Sequence, residues 1–198
     1  MSDLPISGAY RPTIMGTNGM VASGHYLATL AGERILARGG NAVDAGVAAG
    51  LCLTVLHVDM VNLAGVAPII VYLAEEDRVL TISGLGRWPR AASVAYFKEH
   101  CGGKIPLGVL RCITPGSPDA WIAALAEYGT MSLAEVMGEA LRLAAEGFPA
   151  HPLLAANVSA AAGQIRRWPP AATPWRRCPR GSPISVLRLE AAMALRRP

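Results

Sequence analysis

Residues 39–56 read GGNAVDAGVAAGLCLTVL, and this stretch decides how the first half of the chain folds. The Gly39–Gly40 pair ends a preceding helix, because glycine has the backbone freedom that a helix C-terminus needs. Asn41 then caps a second helix, and Asp44 in its first turn interacts favourably with the helix dipole. This second helix, Ala42 to about His57, is apolar nearly all round, so we expect it to be buried on most sides.

Periodicities of both helix and strand type occur on either side of this stretch. Helices are predicted over 25–38, 93–100, 117–128, 132–146 and about 152–166, from apolar spacing and from caps such as Ser117 before Pro118 and the Ser132–Glu135 capping box. Strand-like segments lie at 19–23, 68–74 and 79–83, and the last two form a hairpin around a charged turn. The fold class is therefore α/β (α+β).

Composition limits the class of protein. The chain has 198 residues, of which 52% are hydrophobic, so it fits one domain with a real core rather than general disorder. It lacks the uninterrupted run of about 18 apolar residues that a membrane helix needs. It also shows no signal peptide at its start. We therefore expect a cytoplasmic protein with reduced cysteines, without a membrane partner.

The charge is unevenly distributed. Residues 165–198 hold 8 Arg, one acidic residue and 6 of the 15 Pro, whereas residues 1–164 are mildly acidic. The shift predicts a boundary after Trp168, between a domain over 1–168 and an Arg/Pro-rich tail over 169–198. We interpret the tail as disordered or as the product of a shifted reading frame, because Arg, Pro, Ala, Cys and Ser without Lys are typical of a GC-rich gene read out of frame. A non-catalytic, Arg-tailed nucleic-acid-binding protein is an alternative, although the acidic body offers no basic face.

Motifs for familiar chemistries are missing from the sequence. It contains no G-x-S-x-G, P-loop or H-E-x-x-H pattern, and its four cysteines form no C-x-x-C pair. We therefore expect no cofactor and no metal. The four histidines are scattered along the chain and are interpreted as capping or solvated residues. Two interpretations of His57 stay open, namely a pair with Asp59 at a helix end or simple complementarity to the C-terminal helix dipole.

Arg87 is the candidate binding residue that the sequence itself offers. Arg87-Trp88-Pro89 directly follows the second predicted hairpin strand, in a Gly-rich loop. A guanidinium there can bind a carboxylate through two parallel hydrogen bonds. The alternative is a surface arginine beside a tryptophan that packs into the core.

Several segments together resemble one enzyme family. Gly39–Ala45 resembles the GGNAVDA signature of the gamma-glutamyltranspeptidase family. Further resemblances, in the same order as in the family, lie at 19–22, 58–65, 129–132 and 146–149. The likeness covers about Thr13 to Trp168. It corresponds to the N-terminal, large-subunit part of the family's precursor.

The resemblance implies a fold and a chemistry. The fold is the αββα sandwich of N-terminal-nucleophile hydrolases, here incomplete. In that family the precursor cuts itself, and the new N-terminal Thr of the small subunit attacks an amide, with its own α-amine as base. The implied partners are a small-subunit chain carrying this Thr and a small amide or gamma-glutamyl substrate.

The sequence departs from the family pattern around the substrate-binding arginine. The typical segment is D-F-R-E-x-A-P, whereas Ile82–Pro89 reads ISGLGRWP. The arginine position falls on Leu85, and Arg87 comes two residues later. This resembles the divergent branch that includes amidohydrolases of other small acyl substrates, such as oxamate amidohydrolase. Arg87 is the candidate for binding the substrate carboxylate, while Asn62 and Gly65 are expected to shape the backbone of a turn below the site.

No residue of this sequence is assigned as the nucleophile. Thr130, Thr114 and Thr173 all lie outside the family's processing motif. The leading hypothesis is therefore a large-subunit fragment, from a truncated or frameshifted gene product, that is inactive alone. The alternative is one subunit of a split enzyme that pairs with a separate Thr-initiated small subunit.

Overall fold

The computed structural model describes residues 14–167 and the backbone of residues 186–187. Within these ranges the chain forms six helices and two small antiparallel sheets. The helices are α1 (Tyr26–Ala37), α2 (Ala42–Leu56), α3 (Val94–Cys101), α4 (Ser117–Tyr128), α5 (Leu133–Glu146) and α6 (Pro152–Ile165). The strands are β1 (Ile69–Leu73), β2 (Arg78–Ile82), β3 (Phe148–Pro149) and β4 (Val186–Leu187).

Helix α2 forms the centre of the core. It packs against α1, α4 and α5, and more than half of its residues are buried, as its apolar sequence predicts. Gly50 permits close approach, since a Cβ at this position would lie 3.2 Å from the Trp121 ring of α4. Burial raises the pKa of Cys52, on the same helix, to about 12. This thiol therefore behaves as a small apolar side chain.

The predicted hairpin is confirmed. Strands β1 and β2 pair antiparallel, with Ile69 opposite Ile82 and Leu73 opposite Arg78. The acidic residues of the connection lie on an exposed 3-10 turn, and Asp77 adopts a left-handed backbone with φ 46°. This acidic run is a solvent-facing turn, as expected from its position.

Two local predictions are wrong. Gly19–Ser23 is not a strand, because no neighbouring strand in the described part of the chain pairs with it. Val21 instead packs against the helical core from an irregular segment. Ser117 is not the cap of α4 either: Gly116 occupies that position, and the Ser117 hydroxyl donates to the carbonyl of Asn62 at 3.5 Å.

The chain ends fall largely outside the described residues. Residues 1–13 and the Arg/Pro-rich tail predicted over 169–198 lie there, apart from the backbone of 186–187, which pairs with β3. The predicted boundary after Trp168 therefore stays a prediction. In the part of the chain that the structure covers, every helix is too short or too polar to cross a membrane.

Candidate functional site

The carboxylate of Asp44 joins two distant segments of the chain. It is fully buried in the first turn of α2 and accepts a hydrogen bond from the Asn41 backbone N–H at 2.9 Å, which completes a capping box. It also accepts from the backbone N–H of Thr130 at 3.0 Å, from the Thr130 hydroxyl at 2.7 Å and from the backbone N–H of Met131 at 3.2 Å. The turn before α2 is thereby fixed to the turn before α5.

Hydrogen bonding keeps this carboxylate charged. Burial alone would raise the pKa of Asp44, but the donors from Thr130, Asn41 and Met131 outweigh it, so the pKa lies below its usual value. A carboxylate that accepts hydrogen bonds from several N–H and O–H groups and faces no reacting group has a structural role. The predicted role of Asp44 as a cap is confirmed.

Side chains and close backbone approach complete this junction. The Asn41 amide nitrogen donates to the Tyr128 carbonyl at 2.6 Å. A Cβ on Gly129 would lie only 2.7 Å from an Asp44 oxygen, so this position must be glycine for the carboxylate to fit. Residues 39–45 and 129–132, which resemble family motifs separately in the sequence, are therefore in direct contact.

A second feature is a crossing of three backbone segments beside α4. The Gly65 carbonyl accepts from the N–H groups of Gly116 and Ser117 at 3.2 and 3.3 Å. A Cβ on Gly86 would overlap the Thr114 carbonyl oxygen. The backbone role predicted for Asn62 and Gly65 is confirmed, because Asn62 and Gly65 form the turn on which α4 begins.

Arg87 lies at this crossing, in the loop between β2 and α3. Its carbonyl accepts from the Thr114 N–H at 3.0 Å, which fixes its backbone, while its side chain is exposed. Within the described residues its guanidinium has neither a hydrogen bond nor an ion pair. Trp88 is 41% exposed and contacts Phe97 edge to face, with ring centroids 5.7 Å apart. Leu85, at the position of the family's arginine, is also exposed.

An apolar groove lies beside α2. It has a volume of about 570 Å³ and runs between α2 and β1, with small and apolar residues along its walls. Gly46 and Trp121 face it from the helices, and Tyr72 is its one side chain with a titratable group. The groove offers hydrophobic contact rather than catalytic groups.

The predicted capping role of the histidines is confirmed for His25 and His151, which cap α1 and α6, but three of the four histidines are not isolated from one another. His25, His57 and His151 lie together, with ring centroids between 4.4 and 5.8 Å apart, although they are far apart in the sequence. Only His100, on α3, stays apart. The predicted approach of His57 to Asp59 is confirmed at 3.5 Å. The sequence carried a partial signal, since each clustered histidine lies at the end of a predicted helix.

Metal binding finds no support among the residues that the structure describes. No group of three His, Cys, Asp or Glu side chains there has an arrangement that holds a metal ion. The described residues thus form a buried structural carboxylate, an exposed arginine at the crossing of three backbone segments, an apolar groove and a histidine cluster. The residues that the structure describes do not combine into a complete catalytic site.

Comparison with known proteins gives a consistent result. The family model for gamma-glutamyltranspeptidase matches residues 28–185, which extends past Trp168. The glutathione hydrolase-like YwrD proenzyme of Bacillus subtilis (strain 168) is 42% identical over 139 residues, which are 69% of this chain and 26% of that protein. The acylase ACY 1 proenzyme of Pseudomonas sp. (strain SE83) is 35% identical over 164 residues, 78% of this chain and 29% of that protein. The chain thus spans little more than a quarter of these relatives.

Solved structures share the fold. A gamma-glutamyltranspeptidase from Helicobacter pylori superposes with a TM-score of 0.79 at 25% identity, over 88% of this chain and 52% of that one. A cephalosporin acylase from Bacillus halodurans gives a TM-score of 0.74 at 32% identity, over 84% of this chain and 32% of that one. The mixed helix and strand fold is that of one portion of these N-terminal-nucleophile hydrolases, which confirms the predicted fold class.

Proposed function

The chain belongs to the gamma-glutamyltranspeptidase family, and from this premise we propose that it forms the large-subunit portion of a proenzyme that cleaves small amides through an acyl-enzyme. The observation that carries the proposal is the contact between residues 39–45 and 129–132 through Asp44, which joins two segments that resemble family motifs. The match to the family model over residues 28–185 supports the same assignment.

The nucleophile in this proposal is the N-terminal Thr of a small subunit and not a residue of the large-subunit portion. Thr130 is unsuited to the role, because its backbone N–H and its hydroxyl both donate to Asp44. A nucleophilic Thr of this class needs a free α-amine as base. The small subunit is supplied either by the same precursor or by a separate chain, and in both cases this chain alone is inactive.

The proposed reaction has two halves. The Thr hydroxyl of the small subunit attacks the amide carbonyl while the α-amine takes its proton. The proton then passes to the leaving amine as the C–N bond breaks and the acyl ester forms. Water or a second amine attacks the ester, which releases the acid or a new amide and restores the Thr. An oxyanion hole stabilises both tetrahedral intermediates.

Arg87 is the proposed binding group for a substrate carboxylate. Its support is that the guanidinium is exposed, that its backbone is fixed by Thr114 and that no other described side chain neutralises it. The names of the relatives span glutathione hydrolases and acylases. We therefore propose a gamma-glutamyl amide, or another small amide whose acyl group bears a carboxylate, as the substrate class.

The test combines this chain with a Thr-initiated small subunit, for example that of the YwrD relative, and assays a gamma-glutamyl anilide. We expect no turnover by the chain alone and turnover by the pair. In the active pair, Arg87→Met should raise KM about 10- to 100-fold with a small change in kcat, since hydrogen bonds to a charged group contribute about 1.5–3 kcal/mol. Arg90→Met, an exposed arginine in the same loop, is the matched control and should leave KM unchanged.

Each part of the proposal has its own contrary result. Turnover by the purified chain alone would contradict the need for a small subunit. An unchanged KM in Arg87→Met, with turnover preserved, would remove Arg87 from the binding site and leave the family chemistry standing.

A further inference from the structure

Three histidine rings meet where α1, α2 and α6 come together. The ring centroids of His57 and His151 are 4.4 Å apart, those of His25 and His151 5.5 Å, and those of His25 and His57 5.8 Å. His25 is 6% exposed and His57 9% exposed. We call these three residues the histidine cluster. Three imidazoles at such distances cannot all carry charge without strong mutual repulsion.

Two of the rings accept a hydrogen bond from the first turn of the helix that they cap. The Nδ1 atom of His25 accepts from the Leu27 N–H at 3.2 Å, at the start of α1. The Nδ1 atom of His151 accepts from the Leu154 N–H at 3.2 Å, at the start of α6. An accepting Nδ1 carries no proton, so each neutral ring bears its proton on Nε2. A second proton on either ring would replace the acceptor with a donor and break the cap.

The helix dipoles act in the same direction. His25 and His151 lie at helix N-termini, where a positive charge is unfavourable, whereas His57 follows the C-terminus of α2, where it is favourable. Asp59 lies 3.5 Å from Nδ1 of His57 and can neutralise one proton there. The cluster can therefore accommodate one charge at His57, but not at all three rings.

Three ring nitrogens of the cluster make no hydrogen bond within the described residues, although Nδ1 of His57 has the Asp59 carboxylate 3.5 Å away. They are Nε2 of His25, Nε2 of His151 and Nδ1 of His57, and all three are shielded from solvent. A buried polar atom without a hydrogen bond is costly, and the cost rises when the ring becomes charged. The contribution of the cluster to the stability of the fold therefore depends on the protonation of its rings.

Contacts around the cluster connect it to α6. The Asn157 amide on α6 donates to Asp59 at 2.6 Å, beside His57. Two other titratable groups face the cluster: the Tyr26 ring, stacked 4.7 Å from His25, and the Asp59 carboxylate. Leu154 of α6 is also fully buried in the core. The position of α6 relative to α1 and α2 therefore depends on this apolar contact as well as on the three rings and the Asn157–Asp59 contact.

We propose that the histidine cluster is a pH-sensitive latch that holds α6 against the ends of α1 and α2 while its rings are neutral and releases α6 as they take up protons. The ligand of this site is the proton, which the ring nitrogens take up. The latch is independent of the proposed enzymatic function, since it needs only the fold of this chain.

The direction of the pH effect follows from His25. Burial lowers the pKa of His25 below its usual value, and the neighbouring His151 and His57 lower it further. The unfolded chain therefore binds its proton at a higher pH than the folded chain does. The stabilisation from the neutral ring is fully present above about pH 6.5, the pKa of an unperturbed histidine, and is lost as the pH falls below it.

Hydrogen exchange of the 198-residue chain between pH 7.5 and 5.5, corrected for the intrinsic pH dependence of exchange, tests the latch. We expect protection of α6 amides to fall at least tenfold more than protection of α5 amides. The double variant His25→Asn/His151→Asn keeps cap acceptors but cannot titrate, so its α6 protection should change less than twofold. His100→Gln, outside the cluster, is the control and should retain the wild-type fall.

Several results would overturn the latch. These are α6 protection that does not change with pH, an equal fall in α5, or loss of the effect in His100→Gln. Protection of α6 by added zinc at pH 7.5 in the wild type, but not in the double variant, would identify a metal site instead. If the double variant is unfolded at neutral pH, an NMR titration of the wild-type rings decides: a His25 pKa below that of His100 supports the latch, and an equal or higher value refutes it.

Discussion

The hydroxyl of Thr130 donates a 2.7 Å hydrogen bond to the carboxylate of Asp44, 86 positions earlier in the chain. The bond joins the first turn of α2 to the turn between α4 and α5. It gives a physical reason why a charged residue occupies the first turn of the most buried helix. Loss of this carboxylate should therefore be felt across three helices rather than at one helix end.

Asp44→Asn should lower the free energy of unfolding by about 2–4 kcal/mol, because it replaces a buried carboxylate that accepts several donors with an amide whose NH₂ group would face other N–H groups. Urea unfolding followed by circular dichroism measures the change. Asp77→Asn is the control, since Asp77 is exposed with φ 46°, a backbone that asparagine tolerates well. Its effect should stay within about 0.5 kcal/mol. Equal effects of the two variants would contradict the role assigned to Asp44.

Acid should remove the stabilisation that the charged Asp44 carboxylate provides. The folded pKa of Asp44 lies below its usual value, so the folded chain holds this carboxylate charged at a pH where the unfolded chain has begun to protonate it. The contribution is present above about pH 4, the unfolded pKa, and is lost as the pH falls through the folded pKa. The difference in unfolding free energy between wild type and Asp44→Asn should shrink from pH 5 to pH 2.5. A constant difference would show that folding does not lower the pKa of Asp44.

Thr130 should behave as a structural donor. Thr130→Ser keeps the hydroxyl and should change the unfolding free energy by less than about 0.5 kcal/mol, whereas Thr130→Val leaves Asp44 short of a donor and should cost about 1–2 kcal/mol. In the proposed proenzyme, neither variant should block precursor cleavage. A cleavage defect in Thr130→Val with normal stability would instead assign Thr130 to processing.

Sequence reasoning succeeded where structure depends on neighbours a few residues apart. The Asn41 and Ser132 capping boxes each join a side chain to backbone three residues away, so the pattern alone placed the starts of α2 and α5. The charged turn between β1 and β2 is equally local. The bounds of these elements agree with the prediction to within one or two residues.

Failures occurred where a distant partner decides the outcome. Ser117 carries a local cap pattern, but its hydroxyl bonds to Asn62, 55 positions earlier, and Gly116 takes the cap position. The histidine cluster depends on three helix ends that meet only in the folded chain. Gly129 likewise shows its importance only once Asp44 is seen against it. Local sequence patterns carry no information on contacts between residues that are far apart in the sequence.

Two glycines of α2 allow the packing of α4 against this helix to be tested by substitution. A Cβ on Gly46 would meet nothing within 4 Å, so Gly46→Ala should stabilise the chain by about 0.5–1 kcal/mol through helix propensity. Gly50→Ala gains the same propensity, but its Cβ would lie 3.2 Å from the buried Trp121 ring. We expect it to be at least about 0.5 kcal/mol less stable than Gly46→Ala, because the ring must shift within a packed core. Equal stability of the two variants in urea unfolding would mean that Trp121 moves freely and that α4 is not held tightly against α2.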